Sequence, residues 1–364
     1  MTQMSIYQRT DMNVSEPHLS VILPIFNCEK YLQVSLDSLL SQSFEDFEII
    51  AVDDASTDDS WAILSSCKDP RVRHFRNNEN LGVAKTSNIA ASFSRGELIA
   101  RMDADDVCDP ERFKRQVEAF REDKNLVLLG TSIINTDEKG EFLNELSYPL
   151  DDIAIKAALR VGSPFAGTTV MMRKQKFTEA GGYRDFFRLA EDYDLWLRIS
   201  ELGKTANLDF PSVFVRNHLN SLTLSKGGEA LLYHEIAQQS WERRQLGKSD
   251  FDFSIDHQDP FDAKFGLDNE MCRRLALQGE LDAAKRLFFL GVTEKASDVV
   301  ETFRREDFQD FPDLDAELLL LKVRSSIATK HYFFAFSAAL LCPLKNPRVA
   351  SSVFRKLSRR LRAG

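Results

Sequence analysis

Leu19-Ser-Val-Ile-Leu-Pro-Ile25 is an unbroken apolar run of strand length, the pattern of a strand covered on both faces. Tyr31, Val34, Leu36, Leu39 and Leu40 follow at helical spacing, and Phe47-Glu-Ile-Ile-Ala-Val52 is a second buried strand. It ends in the polar cluster Asp53-Asp-Ala-Ser-Thr-Asp-Asp59, where Asp58 is placed to cap a helix that starts near Asp59 and continues from Trp61. The rhythm repeats with a strand over 72–75, a helix over 83–93 and a strand over 97–101. Strand and helix alternating at this spacing give βαβ units, and therefore a mostly parallel sheet flanked by helices.

Further along, the spacing predicts a helix over 110–120 with Pro110 in its first turn, and a strand over 126–134. Asp137-Glu-Lys-Gly140 reads as a turn, and a helix over 191–202 is closed by Gly203 as its C-cap. A strand over 206–215 completes an α/β domain spanning 18–225, while the stretch holding Pro164, Gly167 and Gly181-Gly182 has no period to interpret. Residues 226–344 read as a smaller helical C-terminal domain, with helices over 271–290 and 314–341 and a linker or docking segment near 250–269. Within it, Leu275-Ala-Leu-Gln-Gly-Glu-Leu-Asp-Ala-Ala-Lys-Arg-Leu287 resembles one helix-turn-helix unit of a helical repeat.

Composition narrows the function. With 364 residues and a formal net charge of -9, the chain is no globally basic nucleic-acid binder, and no nucleic-acid partner is expected. Hydrophobic content of 43% and charged content of 28% are those of a globular protein rather than a multi-span membrane protein. Its five cysteines form no CxxC pair, which fits a reducing cytoplasm. Residues 1–17 are polar and read as a disordered tail without a secretory leader, and the apolar stretch 332–344 falls short of the roughly 20 residues of a spanning helix. Positions 345–364 carry seven basic and no acidic side chains, with Val353, Phe354, Leu357 and Leu361 on one helical face. Two readings of this tail stay open: an interfacial helix drawn to anionic lipid at the inner face of the cell membrane, or a helix solvated or docked on the acidic body.

The chemistry lies in acids at strand ends, where an open parallel sheet binds its ligands. Asp53-Asp54 follows the second strand and Asp103-Ala-Asp-Asp106 the fourth. Either cluster alone is more often a turn or a helix cap. Both at equivalent ends of neighbouring strands repel each other unless something cationic or hydrogen-bond donating lies between them, and Mg²⁺ or Mn²⁺ with a phosphate ligand is the economical answer. No GxxxxGK[ST] or GxGxxG follows the first strand, where Pro24-Ile-Phe-Asn27 stands, so a P-loop enzyme or dinucleotide dehydrogenase is disfavoured.

Together with Asn80-Leu-Gly82, Asn88 and Glu191-Asp-Tyr-Asp-Leu-Trp-Leu-Arg198, these segments resemble the family 2 glycosyltransferases over roughly 18–225. The resemblance implies a GT-A fold and an inverting, Mn²⁺- or Mg²⁺-dependent hexosyl- or N-acetylhexosaminyltransferase. Its donor would be a nucleotide-sugar, typically a UDP-sugar, and its acceptor a glycan or lipid-linked glycan. It implies that Pro24 and Phe26 line the base, that Asp54 hydrogen-bonds it, that Asp103 lies near ribose and metal, and that Asp105 is the direct metal ligand. Asp192 is similar to the family's general base, with Glu191 supporting it; an inverting transfer needs one such carboxylate to take the acceptor's proton. Arg216-Asn-His218 resembles an Arg-x-His that brings His218 to the metal or diphosphate, a surface histidine at a strand end being the other reading, and Lys85 approaches the donor. Thr168 and Thr169 read as ordinary strand residues, with a border of the acceptor cleft as the alternative. Trp196 reads as core. The rivals are a catalytically silent nucleotide-sugar or glycan-binding module on the same fold, and a nucleotidyltransferase. The latter ordinarily carries a glycine- and lysine- or arginine-bearing loop where Pro24–Asn27 stands.

Overall fold

A computed structural model describes residues 16–218, 227–253, 265, 267–290 and 292–328. Strands β1 (Leu19–Ile25), β2 (Phe47–Asp53) and β3 (Val72–Arg76) alternate with helices α1 (Leu32–Leu40) and α2 (Ser60–Ser66), and α3 (Val83–Phe93) leads into β4 (Leu98–Arg101). Then come β5 (Val107–Cys108), α4 (Arg112–Glu122), β6 (Leu126–Thr136), β7 (Phe142–Leu146) and α5 (Asp152–Ala158). A 3₁₀ turn at Gly167–Thr169, β8 (Met171–Arg173), α6 (Lys174–Glu179), α7 (Glu191–Ile199) and β9 (Lys204–Arg216) follow.

These strands form one sheet in the order β3-β2-β1-β4-β8-β6-β9-β5, with β7 added on β6. β1 pairs in parallel with β2 and β4, and β2 with β3, as the alternating pattern requires. β8 then runs antiparallel to both β4 and β6, and β9 is parallel to β6. The α/β sheet with flanking helices is therefore present, parallel through its first four strands and mixed beyond. Val21, Leu23, Leu32, Leu36, Ile49, Leu64, Phe113 and Val117 are among the side chains that bury α1, α2 and α4 against one face.

The structure departs from the sequence reading where elements are short or exposed. The stretch without period holds β7, α5, β8 and α6: β8 is three residues long and β7 is largely exposed, so neither shows a buried alternation. α4 begins at Arg112 rather than at Pro110, because Asp109 first turns the chain by accepting from the Glu111 and Arg112 amides. α7 stops at Ile199 with Ser200 as its C-cap, so Gly203 does not cap it. Gly203 is small for another reason: a Cβ there would stand 2.4 Å from Val127 Cγ1 and 2.9 Å from the Asn125 carbonyl oxygen.

Chain contacts divide the molecule into two compact units. The first takes in the segment through His218 and also the chain from His234 onward, through α8 (Gly227–Gln245) to Phe253. Ile236, Ala237 and Trp241 of α8 are buried. Asp250, at the start of the expected linker, receives Arg184 and Arg244 at 2.9 and 2.8 Å, and Phe253 packs on Phe186 and Phe187. The second unit packs α9 (Asn269–Phe289), α10 (Thr293–Thr302) and α11 (Pro312–Ala328) around Leu281, Phe288, Val300, Phe308, Leu314 and Leu318. α9 runs uninterrupted through 275–287, so that stretch is one helix and not a helix-turn-helix. The tail at 345–364, the disordered segment expected for most of 1–17 and the end of the helix expected at 314–341 lie outside the described residues. Among those described, no helix is long and apolar enough to cross a membrane.

Replacing Gly203 by Ala forces its Cβ into a backbone oxygen and should cost about 1–3 kcal/mol, read as a lower urea midpoint at an unchanged m value.

Candidate functional site

β1 is the point where strand order reverses, β2 lying to one side of it and β4 to the other, and the carboxyl end of such a strand is where an open α/β sheet places its ligand. Ile25 is in register with Asp53, and the Met102 amide donates to the Ile22 carbonyl at 3.1 Å, so the acidic turns after β2 and β4 leave the sheet beside β1. The loops are cross-tied: the Asn27 amide donates to Ser56 Oγ at 3.0 Å and the Thr57 amide to Asn27 Oδ1 at 2.9 Å. Asn27 and Ala55 have φ of 51° and 57°. Left-handed backbone is costly for alanine, and such outliers collect at functional sites. At the opposite, amino ends of β1 and β4 lies a depression of about 910 Å³, but its cations are spent: Arg95 on Glu48, Arg173 on main-chain carbonyls and Lys174 on the Ser94 carbonyl.

Arg101, the last residue of β4, organises the acids. Its Nε lies 3.2 Å from Asp103 Oδ1 and its Nη1 3.2 Å from Glu191 Oε1, with only 7% of its side chain exposed. Its main chain is held by buried Arg112, whose Nη2 donates to the Arg101 carbonyl at 2.9 Å. The guanidinium also lies 5.5 Å from the centroid of the Tyr183 ring, and Asn88 brackets the main chain of Tyr183 with two hydrogen bonds of 2.7 and 2.9 Å. Asp103 is thereby brought within one side chain of α7, whose first turn carries Glu191, Asp192 and Asp194. Asp192 lies against the 3₁₀ turn, where a Cβ on Gly167 would stand 3.2 Å from its Oδ2. Tyr148 and His234 also feel Asp192: burial, then that carboxylate, pushes Tyr148 up to about 12, and burial lowers His234 against the pull of Asp192. His234 stacks on Tyr193 at 4.4 Å.

The other acids of the turn are tied to the end of β9. Asp106 is buried and accepts the Arg216 amide at 2.9 Å; Asp105 Oδ2 lies 2.9 Å from His218 Nε2, and its carbonyl accepts Arg216 Nε at 3.1 Å. Burial raises the pKa of Asp103, with Asp105 and Asp192 adding to the effect and Arg101 opposing it. Asp106 is pushed well up by burial and then by Asp105 and Asp103, and burial holds the Cys28 thiol at about 12, with Asp105 reinforcing it. Burial also lifts Glu191 to about 7 despite Arg101.

Each sequence-derived candidate has a definite place. Phe26 is 45% exposed past the end of β1, and Pro24 lies in that strand's last turn of pleat. Asp54 is buried and accepts Asn77 Nδ2 and the Leu81 and Gly82 amides at 2.8 to 2.9 Å. Lys85 pairs with Asp185 at 2.9 Å. Asp58 accepts the Ser60 and Glu29 amides, although Asp59 occupies the N-cap. Thr168 Oγ1 accepts the Asp103 amide at 3.2 Å, whereas Thr169 is wholly buried between Thr131 and Ala166 and does not border a cleft. Trp196 is in the core. The sequence reading missed Arg101, Tyr183, Tyr31 and His234. Only Arg101 left a signal, a cation closing an otherwise apolar strand.

Among the described residues, no three His, Cys, Asp or Glu side chains are gathered round one point. What the turn offers a divalent cation is a carboxylate and an imidazole nitrogen already converging, Asp105 and His218, beside Asp103 and Asp106, whose ionisation is disfavoured first by burial and then by Asp105. Oxygen and imidazole donors suit Mn²⁺ and Mg²⁺, so the residues present fit such an ion.

A crystal structure of Staphylococcus aureus TarS 1-349 in complex with UDP shares this fold, with a TM-score of 0.52 over 93% of this chain and 91% of that one at 16% identity. The fold is that of the GT-A glycosyltransferases. The family model Glycosyl transferase family 2 matches residues 20–181. The O-antigen biosynthesis glycosyltransferase WbnJ of Escherichia coli is 33% identical over 231 residues, 61% of this chain and 87% of WbnJ. The amylovoran biosynthesis glycosyltransferase AmsE of Erwinia amylovora is 34% identical over 218 residues, 57% of this chain and 78% of AmsE. The chain belongs to glycosyltransferase family 2.

The raised Glu191 makes stability depend on pH. Between its ordinary 4.5 and about 7 the folded state keeps a proton that the unfolded chain has released, so stability falls as pH rises across that window. Asp103 and Asp106 act in the same direction. Thermal melts of the metal-free protein between about pH 5 and 8 should fall more steeply for the parent than for Glu191→Gln; parallel curves would remove Glu191 as a source of the slope.

Proposed function

We propose that this enzyme is a metal-dependent, inverting glycosyltransferase that moves a hexosyl or N-acetylhexosaminyl group from a UDP-sugar to a hydroxyl of a glycan or lipid-linked glycan, in polysaccharide or glycolipid assembly. The observation that carries this reading is Arg101 held between Asp103 and Glu191, which ties the acidic turn to the carboxylate-bearing start of α7. The biosynthetic roles printed in the names of WbnJ and AmsE, and the UDP bound to the TarS structure, support the substrate class.

On this reading the exposed ring of Phe26, with Pro24, supplies a face for the base. Asp54 has committed three of its roughly four acceptor positions to Asn77, Leu81 and Gly82, which leaves one for a base N–H. Lys85 reaches the donor by leaving Asp185. Asp105 and His218 would hold Mn²⁺ or Mg²⁺, with Asp103 nearby, and such an ion, when bound, would supply charge screening for the diphosphate leaving group. Asp192 takes the acceptor hydroxyl's proton as its oxygen attacks the anomeric carbon. Oδ1 of Asp192 accepts its neighbour Tyr193's amide at 2.6 Å, so Oδ2, beside Gly167, is the oxygen left for the acceptor. Glu191, fixed on Arg101, sets the start of α7 in place. The enzyme works at the cytoplasmic face of the cell membrane, with the 345–364 tail resting on anionic lipid.

Asp192→Asn should lower transfer by about 10²- to 10⁴-fold while UDP still raises the melting temperature in Mn²⁺ as in the parent; full turnover would exclude Asp192 as base. If no nucleotide stabilises the protein in a metal-dependent way, the donor site is misassigned. Deleting 345–364 should release the protein from phosphatidylserine vesicles at low salt, and retained binding would assign the membrane contact elsewhere.

A further inference from the structure

His218 stands beyond the last pair of the β9 ladder, and its backbone alone does not fix its ring. The Asn217 amide is the last in that stretch to donate to β6, at 2.9 Å from the Thr136 carbonyl. Two groups among the described residues lie against the imidazole. One is Asp105 at 2.9 Å, and the other is the ring of Tyr31, whose centroid is 5.3 Å away with the planes 31° apart. Tyr31, just before α1, is in turn held by Glu138, Arg216 and its neighbour Lys30, whose Nζ lies 5.3 Å from the ring centroid. Its hydroxyl donates to Glu138 Oε1 at 3.2 Å, and the Arg216 guanidinium lies 4.8 Å from its ring centroid. Arg216 closes the circle by donating to the Glu138 carbonyl at 3.0 Å and to the Asp105 carbonyl at 3.1 Å, and Lys30 adds an ion pair to Glu138.

The geometry points to Tyr31 as a positioning residue of the cation site: its ring seats His218 against Asp105, and Arg216, itself tied to the Glu138 and Asp105 carbonyls, holds that ring in place. The inference rests on the cation site proposed above. A metal-binding imidazole needs partners that fix its orientation, and their loss typically weakens metal binding about 10- to 100-fold. Here the partner lies on the face of the ring. The ion pair of Lys30 with Glu138 is 61% and 49% exposed and adds little by itself, so the ring contact is the effective element. Tyr31 is absent from the hydrophobic cluster under α1, so truncating it removes contacts at the site rather than in the core.

Mn²⁺ binding to the full chain, followed by electron paramagnetic resonance with UDP present and no acceptor, tests this without any turnover. Tyr31→Ala should weaken Mn²⁺ binding about tenfold, as should Tyr31→Leu, which keeps bulk without the aromatic face and guards against an alanine variant that fails to fold. Tyr31→Phe should stay within about threefold of the parent, because it loses only an exposed hydroxyl bond. In the His218→Ala background, Tyr31→Ala should change nothing further. Parent-like binding by Tyr31→Ala, an equal loss in the His218→Ala background, or parent-like binding by His218→Ala would each overturn the role of Tyr31. A parent that binds no Mn²⁺ with UDP present would instead overturn the cation site itself.

Discussion

Arg101 is the constraint on which the site depends. A guanidinium 7% exposed cannot stay charged away from water without partners, and it has two, one in the turn after its own strand and one at the start of a helix 90 residues later. Removing one partner of a buried pair typically costs about 3–5 kcal/mol, a range that applies to Glu191, whereas Asp103, 37% exposed, contributes less. Arginine suits this place because its fork addresses two carboxylates from one plane and cannot discharge by losing a proton. α4 exists partly to support it: Arg112 holds the Arg101 carbonyl, and Gln116 holds the carbonyls of Thr169 and Leu129.

Around that pair the protein collects more negative charge than it neutralises. Asp103, Asp106 and Glu191 all titrate above their ordinary range, burial being the leading cause and neighbouring carboxylates the second or third. A fold selected for stability alone would disperse them. The same strand ends carry left-handed Asn27 and Ala55, so conformational and electrostatic strain occur together at the carboxyl ends of the central strands. The surrounding polar bonds, Asp106 to Arg216 and Asp54 to the loop at Leu81 and Gly82, keep the loops from relaxing apart.

How much could be read in advance follows from strand length and burial. β1 and β2 are covered on both faces, so their apolar runs are unmistakable, and the parallel half of the sheet with its acidic turns followed from them. β8 is three residues long and β7 is mostly exposed, so the mixed half left no periodic trace. Gly203 had the sequence position of a helix cap, yet its smallness answers to Val127 and Asn125 across the sheet. Asp54 lay where a ligand contact belongs, but most of its acceptor capacity serves its own loop.

The sequence by itself determined the chemical inventory: buried parallel strands, acids at their carboxyl ends and an acidic helix start, because each is a local pattern of polarity and spacing. Only the tertiary structure decided which of these meet. Asp105 and His218 are 113 residues apart, and Arg101 and Glu191 are 90 apart. Such contacts are set by the crossing of strands and the path of loops, which no local periodicity records. The aromatic face that Tyr31 presents to His218 is of the same kind, an ordinary residue before a helix until β9 brings an imidazole to it.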